Sequence, residues 1–370
     1  MRAMRTIAFL AALVAPAPAA AMAQPPQPKP LAQRIVAAGM PGAVVYVRDR
    51  TGVRAAAAGR ADLSKKAPLT PAMSFRVGSI TKTFVATVVL QLVGEGKLSL
   101  ADRLDHWLPG VVPDASKITV RELLNHTSGI ANYTNEVTFD TALVTTPSRV
   151  WTPQELVSFV DQISPLFAPG ERWYYSNTNF ILLGLIVERI TGRPLGDELR
   201  DRIFNPLGLA HSSFPAASAS MPKPFAHGYL LPDNGFVPVR KYKDVTAWNP
   251  SWAWAAGAMV STADDLGRFY GALLSGDLLK PELLASMEDT VPLTTDPDSP
   301  GYGLGLMHDV DVAACSDTWG HDGAVPGYTS FVSGRRDGSR IAVVLVNTSV
   351  TTRRATEIVL TQLGTAFCAS

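Results

Sequence analysis

Strand-period residues stand at both ends of this chain, and helix-period residues fill the stretch between them. After a short helix-like segment from Leu31 to Ala38, Ala43–Asp49 and a Gly-flanked turn lead into Val53–Asp62. This pattern reads as a β-hairpin. Near the other end, Trp319–Gly334 and Ile341–Ser349 read as further strands, with Asp337-Gly338 as the turn signal between them, and a last helix covers Arg354 to Ala366. In between, Ser79–Val93 is almost wholly apolar beyond its first turn and is followed by Gly94, which predicts a buried central helix. Helical patterns then dominate from Thr119 to Gly276. Thr152 with Glu155 forms a capping box, and Asp264 and Asp265 fit a helix's first turn. Strands from both ends and helices between them imply an α+β fold: an antiparallel sheet flanked by helices, with an inserted, mostly helical part. The expected folded unit is one domain over 31–368. Its α/β lobe takes residues 31–78 and about 300–368, and its helical lobe takes about 79–299.

The first residues read as an address. Arg2 and Arg5 precede a mostly apolar stretch from Thr6 to Ala21, and Ala21-Met22-Ala23 offers small residues at the cleavage positions. Residues 1–23 are therefore expected to be a secretory signal peptide, and 24–30 an extended Pro-rich linker. Pro16 and Pro18 interrupt the run, which is short for a bilayer span, and no second run is long enough. The expected location is exported, periplasmic or secreted. Removing Arg2 and Arg5 takes the formal charge from +1 to −1, and 33 Lys and Arg face 32 Asp and Glu. That balance gives no footprint for nucleic acid. Two Cys and six His without HExxH, HxH or CxxC spacing argue against zinc, and no cofactor is implied. In an oxidising compartment, Cys315 and Cys368 are expected to form a structural disulfide. It would close a loop worth about 4 kcal/mol in the chain-entropy model.

Three short motifs carry the chemistry. Ser79 and Lys82 stand at i and i+3 on one helical face, where the helix N-terminus favours a developing anion and an apolar setting neutralises the amine. Tyr175-Ser176-Asn177 offers a phenol for proton transfer and an amide for gripping a carbonyl. His321-Asp322-Gly323-Ala324 lies on a strand-like segment, and Gly323 is a side-chain-free position that lets a substrate backbone approach closely. Two decoys test the pattern: Ser220 with Lys223, where Pro222 opposes a helix, and Tyr133 with Asn135. His126 reads as a turn residue, and Trp248 and Trp254 read as packing. No GxSxG is present, so a nucleophile elbow is not the basis of a serine mechanism.

In this order, S-x-x-K, Y-x-N and H-x-G, the chain resembles the penicillin-recognising serine hydrolases. It looks most like the exported serine D-alanyl-D-alanine carboxypeptidases of the branch related to class C β-lactamases. The phrases FRVGSITKTF, ITVRELLNHTSG, YYSNTNFILLG, SWAWAAGAMVST, GYGLGL and GHDGAVPGY carry the resemblance from about Leu31 to Cys368. It implies that Ser79 attacks the carbonyl of a small peptide or β-lactam, giving an acyl-enzyme. Lys82 would accept the proton, Tyr175 would relay it to the leaving amine, and Asn177 would hold the substrate amide. His321, where many relatives carry Lys, would orient Tyr175 and the substrate. The amides of Ser79 and Ala324 would bind the oxyanion, and Trp252 resembles an aromatic residue lining the family's cleft.

The chain departs from the resemblance where a terminal carboxylate would be read. Hydroxyl residues flank the Gly of the third motif in that branch, and an Arg follows the GYGLGL-like segment. Here Asp322, Ala324 and Met307 stand in those places, with His308 as the neighbouring substitute. Like charges about 4 Å apart repel by on the order of 1 kcal/mol in water and by several in a partly buried cleft. A D-stereospecific amidase, aminopeptidase, endopeptidase or esterase on the same scaffold therefore stays open beside the carboxypeptidase. A non-catalytic β-lactam or muropeptide sensor stays open too. Oligomeric state is not legible.

Overall fold

Small and β-branched residues make the first strand apolar on both faces, and a strand of that kind has to be covered twice. The computed structural model describes residues 27–232, 241–296, 299–308, 317–350 and 352–368. In it, β1 (Gly42–Asp49) is flanked by β2 (Gly52–Asp62) and by β9 (Ile341–Val346), so the two chain ends meet in one sheet. The other strands of this sheet are β3 (Ala67–Pro68), β4 (Val291–Pro292), β5 (Gly301–Tyr302), β6 (Met307–His308), β7 (Thr318–Val325) and β8 (Tyr328–Arg335). The nine run antiparallel in the order β3-β2-β1-β9-β8-β7-β6-β5-β4. Val45 pairs with Val344, and Asp322 with Phe331.

The pleat sends alternate residues to two cores. Ala43, Val45 and Val47 join Ala342, Val344 and Val346 beneath α1 (Pro28–Ala37) and the last helix, α7 (Arg353–Cys368). Val44 and Tyr46 face the larger core, which includes α2 (Thr81–Gly94), α5 (Asn177–Thr191) and α6 (Ala263–Leu274). Tyr46 lies against Gly267 of α6, where an added Cβ would stand 2.4 Å from its ring. The expected α+β class and its central helix are observed: α2 is buried from Thr81 through Leu90. The expected capping box forms at Thr152 with Glu155 on α4 (Pro153–Ser158), and the structure adds a second at Thr119 with Glu122 on α3 (Val120–Leu124).

The Pro-rich stretch departs from expectation. Instead of running extended to residue 30, it gives way to α1 at Pro28. A proline in the first turn of a helix loses no intrahelical hydrogen bond. Residues 1–26, which hold the expected signal segment, and Cys315 lie outside the described residues. Among the described residues no helix is long and apolar enough to cross a membrane, and no group of three or more His, Cys, Asp or Glu is placed to hold a metal.

Candidate active site

The tight turn Gly78–Ile80 delivers Ser79 to the start of α2, one turn before Lys82. Gly78 makes the approach possible. Its φ is +53°, and a Cβ there would lie 2.7 Å from the amide nitrogen of Ala324 on β7. The same closeness explains Gly323. A side chain at that position would stand 2.0 Å from the Val77 carbonyl, 2.6 Å from Ser330 Oγ and 3.1 Å from the Ser79 nitrogen. The sequence suggested that Gly323 admits substrate backbone. In the fold it admits the protein's own nucleophile turn, which brings the Ser79 and Ala324 amides to one corner.

Lys82 is completely buried, and its amine meets three oxygens: Ser79 Oγ at 3.1 Å, Asn177 Oδ1 at 2.8 Å and the Ala256 carbonyl at 2.7 Å. Asn177 Oδ1 and the Ala256 carbonyl only accept. Burial pushes the Lys82 pKa well below the ordinary lysine value, with Asp322 opposing. A neutral amine spends its two hydrogens on those acceptors and turns its lone pair to the serine hydroxyl. The Tyr175 hydroxyl donates to Ser79 Oγ at 2.8 Å. Burial and then Asp322 raise the Tyr175 pKa, so it stays a phenol. The arrangement suits a serine nucleophile with an amine base and a phenolic proton donor. Asn177, at the start of α5, is fixed by Asn132 Oδ1 on its backbone N–H and by Thr134 Oγ1 on its amide. Thr134 belongs to the decoy Tyr133–Asn135, which packs here as support. The Tyr133 hydroxyl donates to the Trp252 carbonyl at 2.6 Å. The other decoy, Ser220 with Lys223, lies outside any helix.

His321 is placed differently from its expected role. It is fully buried, its Nδ1 donates to the Asp322 carbonyl at 2.6 Å, and its Nε2 accepts from Tyr302 Oη at 2.9 Å. Burial keeps the ring neutral. Both nitrogens are occupied, so His321 supplies neither a cation nor a free donor to substrate. Tyr302 carries its influence onward, with its ring 6.4 Å from that of Tyr175 and edge-on to it.

His126 was missed as a site residue. It is fully buried at φ +62°, and its ring centre lies 4.4 Å from that of Tyr175 and 4.8 Å from that of Tyr302. The backbone N–H of Ser176 donates to its Nδ1 at 3.2 Å, and Asn179 Nδ2 lies 3.1 Å from the same atom. Its carbonyl accepts the Tyr174 N–H. Two donors on Nδ1 assign the proton to Nε2. His126 thus clamps the turn that carries Tyr175 while its ring backs the phenol. The only sequence signal was its place in NHTSG, and a turn explained that equally well.

Asp322 leaves the corner open to solvent, with its side chain 48% exposed and 3.5 Å from His321 Nδ1. Ala324 is exposed and Met307 half-buried. His308 does not fill the missing cation's place: its Nε2 pairs with Asp317 at 3.3 Å and its ring lies 4.4 Å from that of Trp319. Trp252 is half-buried on the turn Pro250–Trp252. Trp254 packs over Gly184. Cys368 ends α7 against the smaller core.

A family model described as Beta-lactamase matches residues 13–365. A D-stereospecific amidohydrolase from Streptomyces has a similar structure, with a TM-score of 0.82 and 38% identity over 90% of this chain and 98% of that one. The D-amino acid amidase from Ochrobactrum anthropi SV3 gives a TM-score of 0.78 and 29% identity, over 91% of this chain and 96% of its own. Penicillin-binding protein 4 of Amycolatopsis lactamdurans is 32% identical over 312 residues, 78% of this chain and 76% of that protein. With its antiparallel sheet and S-x-x-K corner, the chain belongs to the β-lactamase family of penicillin-recognising serine hydrolases.

Proposed function

We propose that the protein is an exported serine amidohydrolase acting on D-amino acid amides or peptides whose leaving group carries no carboxylate. Ser79 Oγ bonds to the substrate carbonyl carbon as its proton passes to Lys82, and the Ser79 and Ala324 amides hold the oxyanion. Collapse breaks the C–N bond, and the leaving amine takes a proton through Tyr175. Water then releases the acyl group from Ser79 by the same path. Asn177 holds the amine of Lys82 and faces the substrate amide.

The observation that carries this reading is Asp322, half-exposed beside the corner where a terminal carboxylate would have to settle. Likeness to the Streptomyces amidohydrolase and the Ochrobactrum amidase supports it. Likeness to a penicillin-binding protein favours a second reading, D-alanyl-D-alanine carboxypeptidase. The two are separated by comparing an N-acylated D-Ala-D-Ala acid with its C-terminal amide. The amide is expected to be cleaved with about fivefold or higher kcat/KM, since excluding one unit charge is worth about a kcal/mol or more. Faster release of D-Ala from the free acid would replace this reading with the carboxypeptidase.

Export and the Cys315–Cys368 pair are part of the proposal, supported by the N-terminal pattern and by two Cys in a chain of that destination. Purified mature protein should begin at Gln24 and show no thiol on denaturation. Two titratable thiols would refute the pair.

A further inference from the structure

Along β7 the catalytic corner has a direction. Ala324, whose amide completes the oxyanion pair, lies against the nucleophile turn, and a Cβ on Gly78 would meet its nitrogen at 2.7 Å. Asp322 is two residues nearer the start of the strand, about 7 Å away at the usual rise, and on the same face as Ala324. The proton donor marks that side as well. Tyr175 is edge-on to Tyr302, whose hydroxyl binds His321, the neighbour of Asp322. A leaving group that takes its proton from Tyr175 therefore departs past Asp322.

No cation answers this carboxylate. Among the described residues it makes no hydrogen bond, and its ion-pair contact is His321 Nδ1 at 3.5 Å. That ring is neutral and gives its Nδ1 proton to the Asp322 carbonyl. Burial also drives Lys82 and His126 toward their neutral forms, and His308 is turned to Asp317. With its side chain 48% exposed, Asp322 is open to a ligand. Met307, opposite Gly320, occupies the diagonal position on the same face of the sheet and is half-buried. An anion beside a soft apolar side chain is chemistry for an alkylammonium, with its methylenes on the thioether and its charge on the carboxylate.

We infer that the leaving-group side of the cleft selects amines carrying a second, protonated nitrogen a short alkyl chain away, with Asp322 as its counter-ion. The inference rests on the proposed function and deepens it: exclusion of a carboxylate becomes recognition of a cation. The favoured substrates are D-aminoacyl amides of short diamines.

The test compares the N-(2-aminoethyl) and N-(2-hydroxyethyl) amides of D-phenylalanine, which match in length and differ in one charge, and includes D-phenylalanine amide as a general D-amide. Near neutral pH the wild type should prefer the aminoethyl amide about fivefold or more in kcat/KM, the factor for about 1 kcal/mol. Asp322→Asn should bring the ratio close to one, and Asp322→Glu should keep part of it. Each ratio sets two substrates against one enzyme, so changes in overall rate or in Lys82 acidity cancel. Because Asp322 is half-exposed, the wild-type preference should also shrink as NaCl is raised from about 20 to 500 mM. A wild-type ratio of one or below, with both amides turned over, would overturn the inference and leave the proposed function standing. A preference that survives Asp322→Asn would overturn it too. If that variant does not fold, the salt series decides, and a preference indifferent to salt counts against Asp322. If none of the three D-amides is cleaved, the proposed function fails and this inference fails with it.

Discussion

Lys82 and Asp322 set opposing terms on one proton, and their balance is measurable. The competent form of Lys82 is the neutral amine, so kcat/KM should fall as pH drops through its folded pKa, which burial places well below the ordinary value of about 10.4. Asp322 raises that pKa, so Asp322→Asn should shift the acid limb to lower pH; a shift upward would contradict the geometry. Ser79→Ala should lose on the order of 10⁴-fold or more in kcat, and Lys82→Arg about 10²–10⁴-fold, as read by active-site titration and steady-state rates. His126 predicts a different pattern. Phenylalanine there keeps a ring against Tyr175 but strands the Ser176 N–H and the Asn179 amide, each costing about 1–3 kcal/mol when buried and unpaired. The expected result is a lower melting temperature and a kcat reduced about tenfold, with KM little changed. His126 also carries a stability signature. Its folded pKa is lowered by burial, below the unfolded value of about 6.5. The native state therefore binds fewer protons, and the stability from this residue is full above pH of about 6.5 and lost as pH falls toward the folded value. Urea midpoints at pH 7.5 and 5.5 should differ, and differ less in His126→Phe.

Between residues and the whole, it is close backbone approach that organises the site. Gly323→Ala would put a methyl 2.0 Å from the Val77 carbonyl and force β7 away from the nucleophile turn. A stability loss of about 1–3 kcal/mol is expected, the usual scale of overpacking, with activity lost further than stability explains. Wild-type rates in a well-folded variant would rule this out. Thr152→Ala, in contrast, should cost about 1 kcal/mol by removing a cap and leave rates unchanged. The two cases mark what the sequence could show. Capping boxes are local, four residues with a fixed spacing, and the one at Thr152 and Glu155 was legible. The S-x-x-K turn and its apolar helix were legible for the same reason. Gly323 was legible as a place of close approach, but what approached was not, because Val77 and Ser330 meet it from other parts of the chain. His126 was illegible because its function depends on Tyr175 and Tyr302 rather than on its neighbours in NHTSG. His321 was misread for a similar reason: its Nε2 goes to Tyr302, which no periodicity brings near.

At the scale of the molecule, the class of fold was readable because both ends showed the strand period and the middle did not. The short strands β3 to β6, two residues each, fell below any pattern. The covering of the sheet on both faces was implicit in Ala43–Val47, and it makes α7 indispensable. Deleting residues 352–370 would uncover Ala342, Val344 and Val346, so the truncated protein should bind a hydrophobic dye and lose near-ultraviolet dichroism. Cooperative unfolding of that truncation would refute the assignment. One consequence concerns time. β1 finds its second neighbour only in β9, so Val45 waits for Val344. At synthesis rates of 5–20 residues per second, that interval is roughly 15–60 s. Throughout it the hairpin's apolar edge has no mate, and the central sheet cannot close on a nascent chain. A polypeptide built this way leaves its central sheet open until its last strand has been made.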